Sequence, residues 1–181
     1  MIILLGVAGS GKSLQSRMLA DEYGFAWIST GEILRVLITG KRRQEMLAGK
    51  LLSDEEMIQV MDKVLDLIDT KQEFVLDGFP RTIKQTDWLM AQVKKSRFGL
   101  TAILHMSADE KVVHGRLKQR GRQDDNEEAI TKRFEEYRAV TVPILEHFKR
   151  EKIRVYNVDA AAKPRQVHDA IMEIVRKNSI G

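Results

Sequence analysis

Two rhythms alternate along the chain. Short runs are apolar on both faces: Ile2–Leu5 ("IILL"), Phe74–Leu76 ("FVL"), Ala102–Met106 ("AILHM") and Ile153–Val158 ("IRVYNV"), with Ala26–Ile28 ("AWI") as a fifth candidate. A strand without a polar face has to be covered on both sides, the condition of a parallel sheet between layers of helices. Elsewhere apolar residues recur at intervals of three and four. Met57, Val60, Met61, Val64, Leu65 and Ile68 trace one face of a helix. Its start is marked by Ser53 and Glu56, spaced as a capping box. From residue 29 to about 70 the pattern is helical with no clear strand, which reads as a helical insertion between two strands. There is no internal repeat and no low-complexity linker. The expected architecture is one α/β domain over residues 1–181, a parallel sheet flanked by helices.

Composition narrows this picture. A chain of 181 residues suffices for one domain with a real core. With 43% hydrophobic and 31% charged residues, it is ordinary globular material. The net charge of +4 suits phosphorylated substrates. The basic runs Gly40–Arg43 ("GKRR") and Lys149–Lys152 ("KREK") are too short to be more than solvated faces, so no nucleic-acid partner is expected. Cysteine is absent, which excludes disulfides and thiol chemistry. No run approaches transmembrane length, and the N-terminal apolar run is too short and lacks the basic leader of a signal peptide. A cytoplasmic location is the expectation.

Candidate chemistry begins at Gly6–Ser13, "GVAGSGKS", a full match to G-x-x-x-x-G-K-[ST] between a strand and a helix opening near Lys12. Glycines let backbone N–H groups curl around phosphate oxygens. The helix N-terminus adds partial positive charge. Lys12 is placed to reach the β- and γ-phosphates, and the Ser13 hydroxyl to touch Mg²⁺. The loop therefore holds a nucleoside triphosphate and leaves the reaction open.

Three further stretches bear on the reaction. In "LDGFPRT" (Leu76–Thr82), Asp77 at the end of an apolar strand is a candidate for the waters of a phosphate-bound Mg²⁺, and Arg81 follows at the same sheet edge. Asp77 could instead cap a turn, and Thr82 with Gln85 spells a second capping box. In "STGEILR" (Ser29–Arg35), Ser29 and Glu32 spell a third, so Thr30 and Arg35 taken alone read as part of a helix start and a surface charge. Between His114 and Arg133 lie four arginines. Arg116 and Arg120 share a helix face, Arg122 follows one glycine later, and Arg133 lies on the next helix. Converging near a phosphate loop they would neutralise a transferring phosphoryl group. A surface hinge salt-bridged through Asp124 and Asp125 is the competing reading.

"GVAGSGKS", "STGEILR", "LDGFPRTIKQ" and "GRQDDNEE" together resemble, in order and context, the nucleoside monophosphate kinases, and among them the adenylate kinases most closely. The resemblance covers nearly the whole chain. It implies a five-stranded parallel sheet, a monophosphate-binding insertion over about 29–70, and a minimal lid over 120–126. It implies transfer of a phosphoryl group from Mg²⁺·ATP to AMP, giving two ADP, without a covalent intermediate. ATP would meet Gly9, Ser10, Gly11, Lys12, Ser13 and Leu14, with Arg116 and Arg120, and Lys163 near the adenine. AMP would meet Thr30, Arg35, Leu51, Leu52, Ser53, Gly78, Arg81 and Gln85. Arg122 and Arg133 would bridge the AMP phosphate and the transferred group, and Asp124 and Asp125 would orient the arginines. Thr30 and Thr82 stand where pyrimidine monophosphate kinases carry alanine and asparagine, so AMP is the expected acceptor.

Departures from the pattern sharpen the reading. Ala8 stands where the family has proline, and Ser13–Leu14 where it has glycine–threonine. "DAAAKP" lacks the usual glycine before Lys163. The monophosphate-binding insertion is a few residues short. "GRQDD" leaves no room for a zinc site or a β-structured flap. Kinases of UMP, CMP or another nucleoside monophosphate, and an ATP-dependent switch with weak hydrolysis, are the alternatives. A switch has no need of an AMP pocket. Nothing in the sequence points to an oligomeric state.

Overall fold

The structure, a computed structural model, describes residues 1–47, 52–120 and 127–178. Strands β1 (Ile2–Leu5), β2 (Ala26–Ser29), β3 (Phe74–Asp77), β4 (Ala102–Ser107) and β5 (Val155–Asp159) form one parallel sheet in the order β2-β3-β1-β4-β5. Each of the five apolar runs is a strand. The last begins at Val155 rather than Ile153, because the Ile153 amide donates to the Phe148 carbonyl (2.9 Å) and still belongs to the preceding turn. Ser29, assigned by pattern to the helical insertion, closes β2.

The helices are α1 (Lys12–Tyr23), α2 (Thr30–Leu37), α3 (Gly40–Leu47), α4 (Asp54–Asp66), α5 (Ile83–Lys94), α6 (Glu110–Arg120), α7 (Glu127–Glu136), α8 (Val142–Arg150) and α9 (Pro164–Asn178). The pleat of β1 divides the core. Ile3 and Leu5 face Met57, Met61 and Leu65 of α4, Leu89 of α5 and Phe148 of α8, whereas Ile2 and Leu4 face Leu19 of α1 and Val167 and Ile171 of α9. Both faces are covered, as the wholly apolar strand requires. A smaller cluster joins Val7 of the glycine loop to Val113 and Leu117 of α6 and Ile130 and Phe134 of α7. That cluster seats the arginine-bearing helices on the loop.

The α4 capping box forms in full. Ser53 Oγ accepts from the Glu56 amide (3.2 Å), and Glu56 Oε2 accepts from the Ser53 amide (2.8 Å). The other two form by halves. Ser29 Oγ accepts from the Glu32 amide (3.5 Å), but the Glu32 carboxylate takes Arg35 instead (2.5 Å). Thr82 Oγ1 accepts from the Gln85 amide (3.2 Å), but Gln85 Oε1 reaches one residue further back, to the Arg81 amide (2.8 Å).

Helices α7 and α8 run on through a π-helical turn, Tyr137–Thr141, in which the Val142 amide reaches back to the Tyr137 carbonyl. Pro143 follows at once. Its ring crowds the carbonyl four residues earlier and it brings no N–H, so a wide turn accommodates it. The Tyr137 hydroxyl meets His105 Nε2 (2.7 Å), and His105 Nδ1 meets Asn157 Oδ1 (2.9 Å), tying this turn to β4 and β5.

Candidate active site

Strand register brings the candidate residues to one edge. Leu4 and Ser29 both lie opposite Asp77. The loops after β1, β2 and β3 therefore leave the sheet at the same level, the carboxyl end where open α/β sheets bind ligands.

The loop after β1 is held by its own backbone and by Lys12. The Ser10 amide donates to the Val7 carbonyl (3.1 Å), and the Gln15 amide to Gly11 (3.0 Å) as α1 begins. Lys12 Nζ donates to the carbonyls of Gly6 (2.8 Å) and Val7 (2.9 Å), crossing the loop's mouth. Gly9 has φ +91°, and a Cβ there would lie 2.8 Å from Leu117 Cγ. A side chain at this position would push α6 off the loop. Leu14 is exposed.

Ser13 Oγ donates to Asp77 Oδ2 (2.6 Å), joining the first turn of α1 to the end of β3. Asp77 is buried, 5% exposed. A hydroxyl and a carboxylate side by side are hard oxygen donors of the type Mg²⁺ prefers, and one carboxylate plus substrate phosphates is its usual holding. The pair fits the ion.

On the far side of Asp77 a second group converges on Gly78. The Thr30 hydroxyl donates to its carbonyl (3.0 Å) and Arg81 Nε to the same oxygen (2.9 Å). Gly78 has φ +85°, and a Cβ there would lie 2.5 Å from Thr30 Oγ1. The position has room only for hydrogen. Gln85, also buried, donates from Nε2 to Asp54 Oδ1 (2.8 Å), and Thr82 Oγ1 donates to the same oxygen (2.8 Å). Lys84 pairs with Glu55 beside them and pulls that carboxyl below its usual range. Through these contacts α4 docks on the start of α5. Arg35 is turned along α2 to Glu32, over Gly31. Leu52 packs at the edge of the core and Ser53 caps α4.

Arg116 reaches across to the segment after β5. Its guanidinium donates to the carbonyls of Ala160 (2.6 Å), Ala161 (3.3 Å) and Ala162 (3.4 Å), directly before Lys163. Gln15 Nε2 holds the Pro164 carbonyl (2.9 Å) from the other side. Lys163 is exposed. Arg133 is half-buried on α7. At the junction of the arginine helices, Lys118 (2.6 Å) and His114 (2.5 Å) of α6 hold Glu127 at the start of α7 and keep its carboxyl below the usual range. Leu51, Arg122, Asp124, Asp125 and the side chain of Arg120 lie outside the described residues. Two residues that pattern did not single out, Asp54 and Gln15, prove to hold the site's outer loops. Their signal was confined to polar residues at helix starts, where many residues serve only as caps.

A family model described as adenylate kinase matches residues 4–153. The chain belongs to the adenylate kinase family. It is 36% identical over 177 residues to the adenylate kinase of Corynebacterium urealyticum, covering 94% of this chain and 96% of that protein. It is 34% identical to that of Rhizobium meliloti over 189 residues, covering 96% of each, and 32% identical to that of Agrobacterium fabrum over 194 residues, covering 98% of each. As a member of the adenylate kinase family it is a nucleotide-binding transferase. No helix among the described residues is long and apolar enough to cross a membrane.

Proposed function

We propose that the chain transfers the terminal phosphoryl group of ATP to AMP, giving two ADP, in the cytoplasm and with Mg²⁺ carried on ATP. The observation that carries this reading is the Ser13–Asp77 contact. It divides one sheet edge into a lysine-bearing loop on one side and the Thr30–Gly78–Arg81 group on the other. Two phosphate sites on either side of one metal-binding pair suit an in-line transfer between two nucleotides. Lys12 would leave the carbonyls of Gly6 and Val7 for the β- and γ-oxygens, with the loop amides and the α1 N-terminus behind it. Ser13 and Asp77 would hold the Mg²⁺, directly and through water, and that ion neutralises charge on the phosphates when bound. Thr30, Arg35, Gly78, Arg81 and Gln85, with the backbone of 51–53, would hold AMP. Arg116, Arg120, Arg122 and Arg133 would surround the transferred group, oriented by Asp124 and Asp125. Lys163 and the segment fastened by Arg116 and Gln15 would border the adenine of ATP.

A coupled assay tests the reading: ADP formed from Mg²⁺·ATP with AMP, UMP, CMP, GMP or no acceptor. Activity confined to AMP is expected. Activity with UMP or CMP instead, or phosphate release alone, would replace it.

Arg81→Ala should raise KM for AMP by at least roughly tenfold while KM for ATP stays within about twofold. A charge-assisted contact to phosphate is worth about 1.5–3 kcal/mol. Initial rates at varied AMP and varied ATP check this, and a loss confined to ATP would move Arg81 to the other substrate.

The short connection between α6 and α7 supports a second prediction. Charge stabilisation needs only guanidinium groups near the phosphoryl, whereas water exclusion needs a wall. ATP hydrolysis without AMP should therefore be measurable by phosphate release. No detectable release would mean that the site closes by other means.

A further inference from the structure

We infer that Asp54 sets the acceptor specificity of this site by fixing which way the Gln85 amide faces; this rests on the proposed placement of Gln85 in the AMP pocket. Asp54 is the first residue of α4, and no part of the family resemblance set out above assigns it a role. Three contacts fix the orientation. The Arg81 amide donates to Gln85 Oε1 (2.8 Å), Gln85 Nε2 donates to Asp54 Oδ1 (2.8 Å), and the Thr82 hydroxyl donates to that same Oδ1 (2.8 Å). A backbone amide can only donate and a carboxylate can only accept. Turning the Gln85 amide over would set its NH₂ against the Arg81 N–H and its oxygen against the Asp54 carboxylate. Both contacts would change from attractive to repulsive at a side chain that is 4% exposed.

A primary amide has two N–H groups and two oxygen lone pairs. Among the described residues one of each is taken here, and one of each remains for a base. The remaining pair is what an adenine edge needs, where a ring-nitrogen acceptor lies beside an amino donor. Guanine presents the reverse order, a carbonyl acceptor beside a ring N–H donor. An amide free to turn over serves both bases equally well. An amide held by Asp54 together with the Arg81 N–H serves one, because the wrong base leaves buried polar groups unpaired.

The test compares kcat/KM for AMP and for GMP, with Mg²⁺·ATP as donor, in the unmutated enzyme and in the Asp54→Ala, Asp54→Asn and Gln85→Ala variants. Asp54→Ala should narrow the AMP:GMP ratio at least tenfold, through a higher KM for AMP together with better use of GMP, while KM for ATP is unchanged. Asp54→Asn keeps the size of the side chain but can offer either an oxygen or an NH₂. It should fall between the unmutated enzyme and Asp54→Ala, and it keeps the test alive if the alanine variant does not fold. Equal losses with AMP and GMP in the aspartate variants would overturn the inference and leave Asp54 a purely structural contact of α4 on α5. An unchanged KM for AMP in Gln85→Ala would instead remove the placement of Gln85 beneath it.

Discussion

Replacing Lys12 with methionine should lower kcat for ADP formation by roughly 10³ while the protein stays folded. The loss of one preorganised charge donor at a reacting centre is worth on the order of 10²–10³ in rate, and Lys12 is the single side-chain cation within the glycine loop. Methionine keeps the unbranched stem and removes only the ammonium. The substitution is not silent structurally, because Nζ donates to the carbonyls of Gly6 and Val7. Each such bond contributes about 0.5–1.5 kcal/mol, and 1 kcal/mol moves the midpoint of a domain this size by about 2–4 °C. A Tm lower by several degrees is therefore expected beside the kinetic loss. Steady-state rates together with a thermal melt check both. Turnover comparable to the unmutated enzyme, in a folded Lys12→Met protein, would show that the loop does not act on the transferred group.

Asp77→Asn should lower kcat by about 10² at a fixed Mg²⁺ concentration and raise the concentration that half-saturates the rate. The change keeps the shape of a side chain with 5% exposure and removes its charge. Ser13 Oγ, 2.6 Å from Oδ2, can still donate to an amide oxygen, so the α1–β3 junction persists. What is lost is the negative charge that holds the waters of a divalent ion. Titrating Mg²⁺ at constant ATP separates the two possibilities. A rate that falls without any shift in the Mg²⁺ dependence would make Asp77 a strut for Ser13 and nothing more.

The legible parts of this protein are those in which the signal is local. The strands could be read because Ile2–Leu5 and Phe74–Leu76 have no polar residue to turn outward. Helix α4 could be read because its capping box and apolar stripe lie within one stretch of chain. The glycine loop is legible for the same reason, since its chemistry is complete within eight residues. Long-range polar choices were not legible. Gln85 could have closed a box with Thr82, but its side chain has better partners in Asp54 and the Arg81 amide. Arg116 shows helical spacing to Arg120, and nothing in that spacing says that its guanidinium turns to carbonyls 44 to 46 residues away. His105 reads as one more residue of an apolar strand, yet it bridges Asn157 and Tyr137. A side chain chooses its partner by what the finished fold brings near, and one sequence carries no periodicity for that.

The wide turn at Tyr137–Thr141 has a consequence for how this chain tolerates changes of length. A helix converts residue count into angle, about 100° for each residue at 3.6 per turn. A π-helical turn accommodates one residue more than the α-helical ladder needs. Removing a single residue there would let α7 and α8 run on as one regular helix, a change that looks benign by helix propensity. Because the wide turn winds less per residue and so already absorbs its extra one, α7 and α8 would keep their relative facing. Ile130 and Phe134 would keep their seat against Val7 and Leu117, and the cost would fall on Pro143, whose ring would meet the carbonyl four residues back in a regular helix. Loss of a second residue from the turn would have no spare residue to draw on and would turn α7 by about 100° relative to α8. The turn is thus a reserve of one residue: the junction of α7 and α8 can lose that residue without turning α7, and no more.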